Sequence, residues 1–120
     1  MNLKTALLYL QTNPTFTKSP LFYRKVWKAC LEIPPGQTRT YGWIAKKIGH
    51  PKASRAVGQA LAKNPFAPVV PCHRVIRSNG TLGGYSAPGG HTRKKQLLKE
   101  EGIKLESSQR GLTKNIICII

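Results

Sequence analysis

The segment Pro71-Cys72-His73-Arg74 is the part of this sequence best equipped for chemistry. A thiol is a strong nucleophile only as thiolate, and a free pKa of about 8.5 keeps it mostly protonated near neutrality. It needs a base, a cation or a helix N-terminus beside it. His73 is the adjacent base. In an extended segment neighbouring side chains point to opposite faces, so a turn or a bridging water has to join the two. The imidazole in turn needs an acceptor to orient it. The chain has four acidic residues, Glu32, Glu100, Glu101 and Glu106, so the choice is short, and Glu101 near the end of the last expected helix is the attractive one. Adjacent Cys and His cannot easily ligate one ion, and Cys30 and Cys118 are not spaced as ligand pairs. No metal is expected, and nothing resembles a resolving cysteine or a regenerating cofactor.

Other residues could serve this thiol. Tyr41 could donate a hydrogen bond or proton to a leaving group, or it could simply sit at the edge of the core. Asn64 could lock a loop through backbone hydrogen bonds. The segment from Ala53 to Lys63 is crowded with small residues. A helix with full side chains is about 10–12 Å wide and the DNA minor groove only about 6 Å, so a thin helix suits close approach there. Arg55 is the long side chain on that low surface and could enter a base stack beside an extruded nucleotide. The same small residues would equally allow tight helix packing, with Arg55 touching solvent or phosphate.

The elements that would position these groups are mostly helical. Residues 1–18, with Pro14 and several Thr, read as an irregular leader. Ser19-Pro20 reads as an N-cap with proline in the first turn. Phe22, Val26, Cys30 and Ile33 recur at helical spacing until Pro34-Pro35-Gly36, which makes Cys30 a buried core residue. Thr40 can cap a helix from Tyr41 to Ile48, with Ile44 and Ile48 inward, and Gly49-His50-Pro51 closes it. The helix from about Ala53 to Lys63 then ends at Asn64-Pro65. This pair is a helix-turn-helix candidate. Val69 to Ile76 is β-branched and interrupted by Pro71, and Ser78-Asn79-Gly80 is a hairpin turn signal that would make a wing. A last helix is expected from about Thr92 to Glu101, with Leu97 and Leu98 inward and Gly102 as its stop. The fold class expected is mainly α: one winged helix-turn-helix-like domain with a small β-hairpin, spanning residues 19–105. A basic, then apolar, tail would occupy 106–120.

Composition agrees with this size and suggests a partner. The chain has 120 residues with 40% hydrophobic, enough for one modest core. Twenty Lys and Arg against four Glu give a net charge of +16, spread along the whole chain. That pattern fits a folded surface facing a polyanion, with nucleic acid the obvious candidate. Three widely spaced cysteines argue against a disulfide framework and suit a reducing cytosol. The N-terminal residues lack the long apolar run of a signal peptide, and the run Ile116 to Ile120 is too short to cross a bilayer. No membrane association is expected.

From about Ser19 to Leu105 the chain resembles the DNA-binding, active-site domain of the O6-alkylguanine-DNA alkyltransferases, the methylated-DNA–protein-cysteine methyltransferases. The strongest element is Pro71-Cys72-His73-Arg74-Val75-Ile76, which matches the family's active-site motif. Gly36 through Tyr41, Arg55-Ala56-Val57-Gly58, Asn64-Pro65, Gly83-Gly84-Tyr85-Ser86 and Leu97-Leu98 through Glu101-Gly102 support it at compatible spacing. The resemblance implies that Cys72 accepts an alkyl group from guanine O6, with His73 as a base acting through water and Glu101 orienting it. Tyr41 would assist departure of the guanine and rotate the 3′ phosphate. Asn64 would brace the turn before the active site. Arg55 would replace the flipped base, and Ser54, Gln59 and Leu61 would join it in the DNA-binding set. Val75, Tyr85, Ser86 and Lys94 would line or adjoin the base pocket.

The partner implied is double-stranded DNA containing O6-alkylguanine, approached through the minor groove by a monomer without cofactor. The compartment implied is the cytoplasm, or the nucleus in a eukaryote. Because a thioether is not reversed, each molecule would act once. Family members usually carry an N-terminal α/β domain, and about 18 residues precede the match here. A related non-enzymatic group, the alkyltransferase-like proteins, replaces the acceptor cysteine, commonly with Trp or Ala, and only binds lesions.

Overall fold

The computed structural model describes residues 2–67, 69–78, 90–107 and 115–118. Two short helices open the chain, α1 (Leu3–Thr12) and α2 (Pro14–Thr17). The expected irregular leader is therefore helical. Asn2 caps α1 by accepting from the Thr5 N–H at 2.8 Å, and Asn13 caps α2 by accepting from Thr15 N–H at 2.9 Å. Pro14 starts α2 rather than breaking a helix, because a first-turn residue has no intrahelical N–H bond to lose. Ala6 and Leu10 of α1 and Phe16 of α2 are buried. Phe16 packs against Trp27 and Phe66 with ring centroids 6.1 and 6.3 Å away.

Helix α3 (Leu21–Leu31) forms the centre of the core through Val26, Trp27, Ala29, Cys30 and Leu31. Its N-cap differs from the expected one. Pro20 holds that position without a side-chain bond, while the Ser19 hydroxyl donates to the Thr15 carbonyl at 2.7 Å and closes the preceding turn. Cys30 is fully buried, as a small apolar residue on this face should be. Ile33 is buried just beyond the helix, and Gly36 turns the chain with φ +82°.

The helix pair follows as α4 (Tyr41–Lys47) and α5 (Ser54–Ala62). Thr40 caps α4, accepting from the Trp43 N–H at 3.0 Å. Ile44 is buried and Ile48 partly so. The left-handed Gly49, φ +85°, starts the turn between them. Val57, Ala60 and Leu61 are the buried stripe of α5, and the Trp27 indole N–H donates to the Ala60 carbonyl at 2.9 Å. That bond ties α5 to α3.

A short strand β1 (Arg39–Thr40) runs parallel to β2 (Val75–Ile76), pairing Arg39 with Val75 and Thr40 with Ile76. This joins the N-terminus of α4 to the segment after Cys72. The expected turn at Ser78-Asn79-Gly80 and the rest of the wing fall at residues 79–89, outside the described residues. Helix α6 (Gly90–Glu100) presents Lys94, Leu97 and Leu98 to the interior and ends before Gly102, φ +85°. In the region expected as a tail, β3 (Lys104–Ser107) pairs antiparallel with β4 (Asn115–Cys118). The architecture is mainly helical and helix-turn-helix-like, as the sequence suggests.

Candidate functional site

The turn that carries Cys72 is built by proline geometry and one asparagine. Pro71 has φ −82° and ψ 62°, the inverse γ-turn region, and the Cys72 N–H accordingly bonds the Val70 carbonyl at 2.8 Å. A 3-10 turn over Cys72–Arg74 follows, with the Arg74 N–H on the Pro71 carbonyl at 2.9 Å. The Asn64 amide also donates to the Val70 carbonyl, at 3.0 Å, while its oxygen accepts from the Phe66 N–H at 2.8 Å. Asn64 thus clamps both ends of the loop before Cys72, the bracing role expected of it.

Cys72 is buried, with 8% exposure, and makes no disulfide. Burial pushes its thiol pKa up, while the Asn64 side chain and the Lys94 charge pull against that. The resting group is therefore a thiol that needs a base. His73 is buried as well, and its Nε2 lies 3.2 Å from Glu101 Oε2. Burial holds its pKa below the ordinary value, although Glu101 opposes the shift. A neutral ring that donates Nε2–H to the carboxylate leaves Nδ1 as the basic nitrogen. That Nδ1 is buried and has no hydrogen-bond partner among the described residues. Burial pushes the Glu101 carboxyl up, but hydrogen bonds from Arg74 and His73 outweigh it and hold the pKa below the usual range.

Arg74, to which sequence reasoning gave no role, is joined to this site by its guanidinium. Its Nε donates to Glu101 Oε1 and Oε2 at 3.0 and 3.1 Å, and its Nη2 to Oε2 at 2.6 Å. Its Nη1 reaches the Ile33 carbonyl at 2.7 Å, at the end of α3. The available signal was the scarcity of acids: a carboxylate assigned to His73 was bound to attract the arginine next to it.

The remaining candidates divide by burial. Tyr41 is half-buried at the start of α4, and a Cβ on Gly58 would lie 3.9 Å from its ring. Burial raises the phenol pKa, so Tyr41 stays protonated at neutral pH. Arg55 and Gln59 are exposed one turn apart on α5, with half-buried Ser54, Ala56 and Gly58 between and beside them. This is the thin outer face expected. Leu61, placed in the DNA-binding set by resemblance, is buried in the core one turn after Val57.

Val75, placed at the base pocket by resemblance, has its side chain fully buried in the core. It offers its carbonyl instead, which accepts from buried Lys94 Nζ at 2.8 Å. Burial lowers the Lys94 pKa to about 8. Tyr85 and Ser86 lie outside the described residues. Among the described residues no three His, Cys, Asp or Glu side chains group as metal ligands.

A family model described as the DNA-binding domain of 6-O-methylguanine DNA methyltransferase matches residues 21–103. The chain belongs to this family. Its relatives include methylated-DNA–protein-cysteine methyltransferases from Methanosarcina acetivorans, 60% identical over 68% of this chain, and from Shigella flexneri, 50% identical over 82%. The chain spans about half the length of these curated relatives, 51% and 57% respectively.

Solved family structures superpose on it. Mycobacterium tuberculosis OGT in complex with DNA does so with a TM-score of 0.68 and 53% identity, covering 71% of this chain and 51% of that one. S. pombe Atl1, in complex with damaged DNA containing O6-carboxymethylguanine, gives a TM-score of 0.72 at 39% identity, over 81% of this chain and 88% of that one. Among the described residues, no helix is long and apolar enough to cross a membrane.

Proposed function

We propose that this protein repairs DNA by moving an alkyl group from guanine O6 to Cys72, once per molecule. The observation that carries this is the buried Cys72 turn beside a neutral His73 whose Nε2 is committed to Glu101 and whose Nδ1 is open. Cys72 and His73 make no direct hydrogen bond, so a bridging water would pass the thiol proton to Nδ1. The thiolate then attacks the alkyl carbon, an S–C bond forms and the C–O bond breaks. The guanine leaves with the electron pair and takes up a proton, which Tyr41 can deliver before being reprotonated from His73. The sum is a thiol and an alkylguanine converted to a thioether and guanine.

The base must first leave the duplex, at a cost of a few kcal/mol. The thin outer face of α5 suits the minor groove, with Arg55 filling the vacated stack. The reaction as balanced needs no cofactor, and one chain carries every acting group, consistent with a monomer. A thiol that must stay reduced suits the cytoplasm, or the nucleus in a eukaryote.

A second reading is a lesion-binding protein that flags damage without removing it. The structural likeness to S. pombe Atl1, with a TM-score of 0.72, favours it. Cys72 favours transfer, since the non-enzymatic group resembling this domain lacks that residue. Incubation with O6-methylguanine duplex followed by intact mass separates the two. Transfer predicts a single gain of about 14 Da on the Cys72 peptide. Tight lesion binding with no gain would establish the sensor instead.

A further inference from the structure

His73 shares its carboxylate with a stronger partner. Glu101 Oε2 accepts from Arg74 Nη2 at 2.6 Å, from Arg74 Nε at 3.1 Å and from His73 Nε2 at 3.2 Å, while Oε1 accepts from Arg74 Nε at 3.0 Å. The short bond belongs to the arginine and the long one to the histidine. A guanidinium held across both oxygens fixes the carboxylate plane and neutralises most of its charge. Glu101 is then an acceptor that orients the ring, and the guanidinium charge offsets part of the stabilisation it offers an imidazolium. The same guanidinium is tied to the Ile33 carbonyl at 2.7 Å, so it cannot swing away from the carboxylate without giving up a second bond.

We propose that Arg74 is the positioning residue of this site: by holding Glu101 and the end of α3 together, it keeps His73 as the neutral Nε2–H tautomer, with Nδ1 available to Cys72. The groups facing the ring agree with this. From the α6 end come Glu101 and Lys94, and from its own turn Arg74. Among these, Arg74 and Lys94 act against a charged imidazole, and Glu101 acts for it. Removing Arg74 leaves the carboxylate facing His73 alone and takes away one of the opposing charges. The imidazolium becomes easier to form, and at neutral pH part of the base is already occupied by a proton.

The proposal rests on the alkyl-transfer reading for its consequence, but its first readout does not. The experiment is a pH titration of the His73 ring nitrogens by NMR in the unreacted full chain, for wild type, Arg74→Leu and Arg74→Lys. Wild type should show the Nε2–H tautomer at neutral pH. Arg74→Leu should move the His73 midpoint up by about one unit, the effect of a newly unmasked carboxylate at contact distance. Arg74→Lys keeps the charge without the two-pronged grip and should fall between them. The acid limb of the single-turnover transfer rate should move by the same amount as the midpoint.

An unchanged midpoint and tautomer in folded Arg74→Leu overturns the proposal. If that variant does not fold, an Arg74→Lys titration identical to wild type overturns it equally. If wild type transfers no alkyl group, the functional reading fails while the titration still decides the role of Arg74.

Discussion

The turn that carries Cys72 and the helix that carries Arg55 lie in one small domain and are held by opposite means. Around Cys72, buried polar groups carry the structure. Asn64 clamps the loop, Arg74 ties Glu101 to the end of α3, and Lys94 bonds the Val75 carbonyl. Along α5 the inner stripe is apolar, with one indole bond to Ala60, and Arg55 and Gln59 are exposed on the outer face. Buried hydrogen-bonded charges are expensive to disturb, because each survivor is left desolvated and unpaired. An exposed side chain on a helix can change with little effect on folding. The Cys72 turn is therefore expensive to disturb, whereas the outer face of α5 can change at little cost to folding.

Substitutions can break or sharpen that contrast. Glu101→Gln should be the most damaging, because it strands Arg74 beside a neutral amide. Breaking a buried pair costs about 3–5 kcal/mol, and partial exposure of Glu101 places the expected loss near the low end. Denaturant midpoints measure it, and a loss under about 1 kcal/mol would mean the two regions are held alike.

The same variant should alter acid unfolding. His73 has a lowered folded pKa, so its contribution to stability is complete above about pH 6.5 and declines as pH falls towards the folded value. Glu101, also lowered, contributes fully above about pH 4.3 and loses this as pH falls through its folded value. Wild type should therefore lose stability in two steps on acidification, and Glu101→Gln should lack most of the lower one.

Asn64→Ala should cost about 1–2 kcal/mol, for two lost bonds to a half-buried loop, and should slow transfer by loosening the Cys72 turn. Arg55→Ala should change stability by less than about 0.5 kcal/mol. It should nonetheless slow transfer from duplex DNA while leaving transfer from a single-stranded substrate unchanged. Equal rates on both substrates would remove Arg55 from base extrusion and with it the functional half of the contrast.

Much of this was legible in the sequence where local rules suffice. The Thr40 cap, the α3 core face, the end of α6 at Gly102 and the pairing of His73 with Glu101 all follow from spacing and scarcity. Other features depend on partners distant in the chain. The parallel pairing of Arg39 with Val75 has no local signal. Leu61 and Val75 were assigned by motif position, but the core on which α5 and β2 pack decides that they face inward. The opening helices were hidden because Thr and Pro14 suggest breaks, whereas Asn2 and Asn13 before them act as caps. Arg74 was hidden by its neighbours, since Cys72 and His73 already account for the motif.

The two tryptophans of the chain differ in burial. Trp27 is sealed among Phe16, Tyr23 and Phe66 with its indole N–H on α5. Trp43 sits half-buried on α4, with Arg39 and Lys47 5.4 and 5.5 Å from its ring. Their surroundings predict distinct fluorescence: emission from Trp27 should be blue-shifted and shielded from dissolved quenchers, and that from half-buried Trp43 further to the red and more readily quenched. The protein thus contains two optical reporters without any label, one for the integrity of the α3–α5 contact and one for the charge state of the surface beside α4.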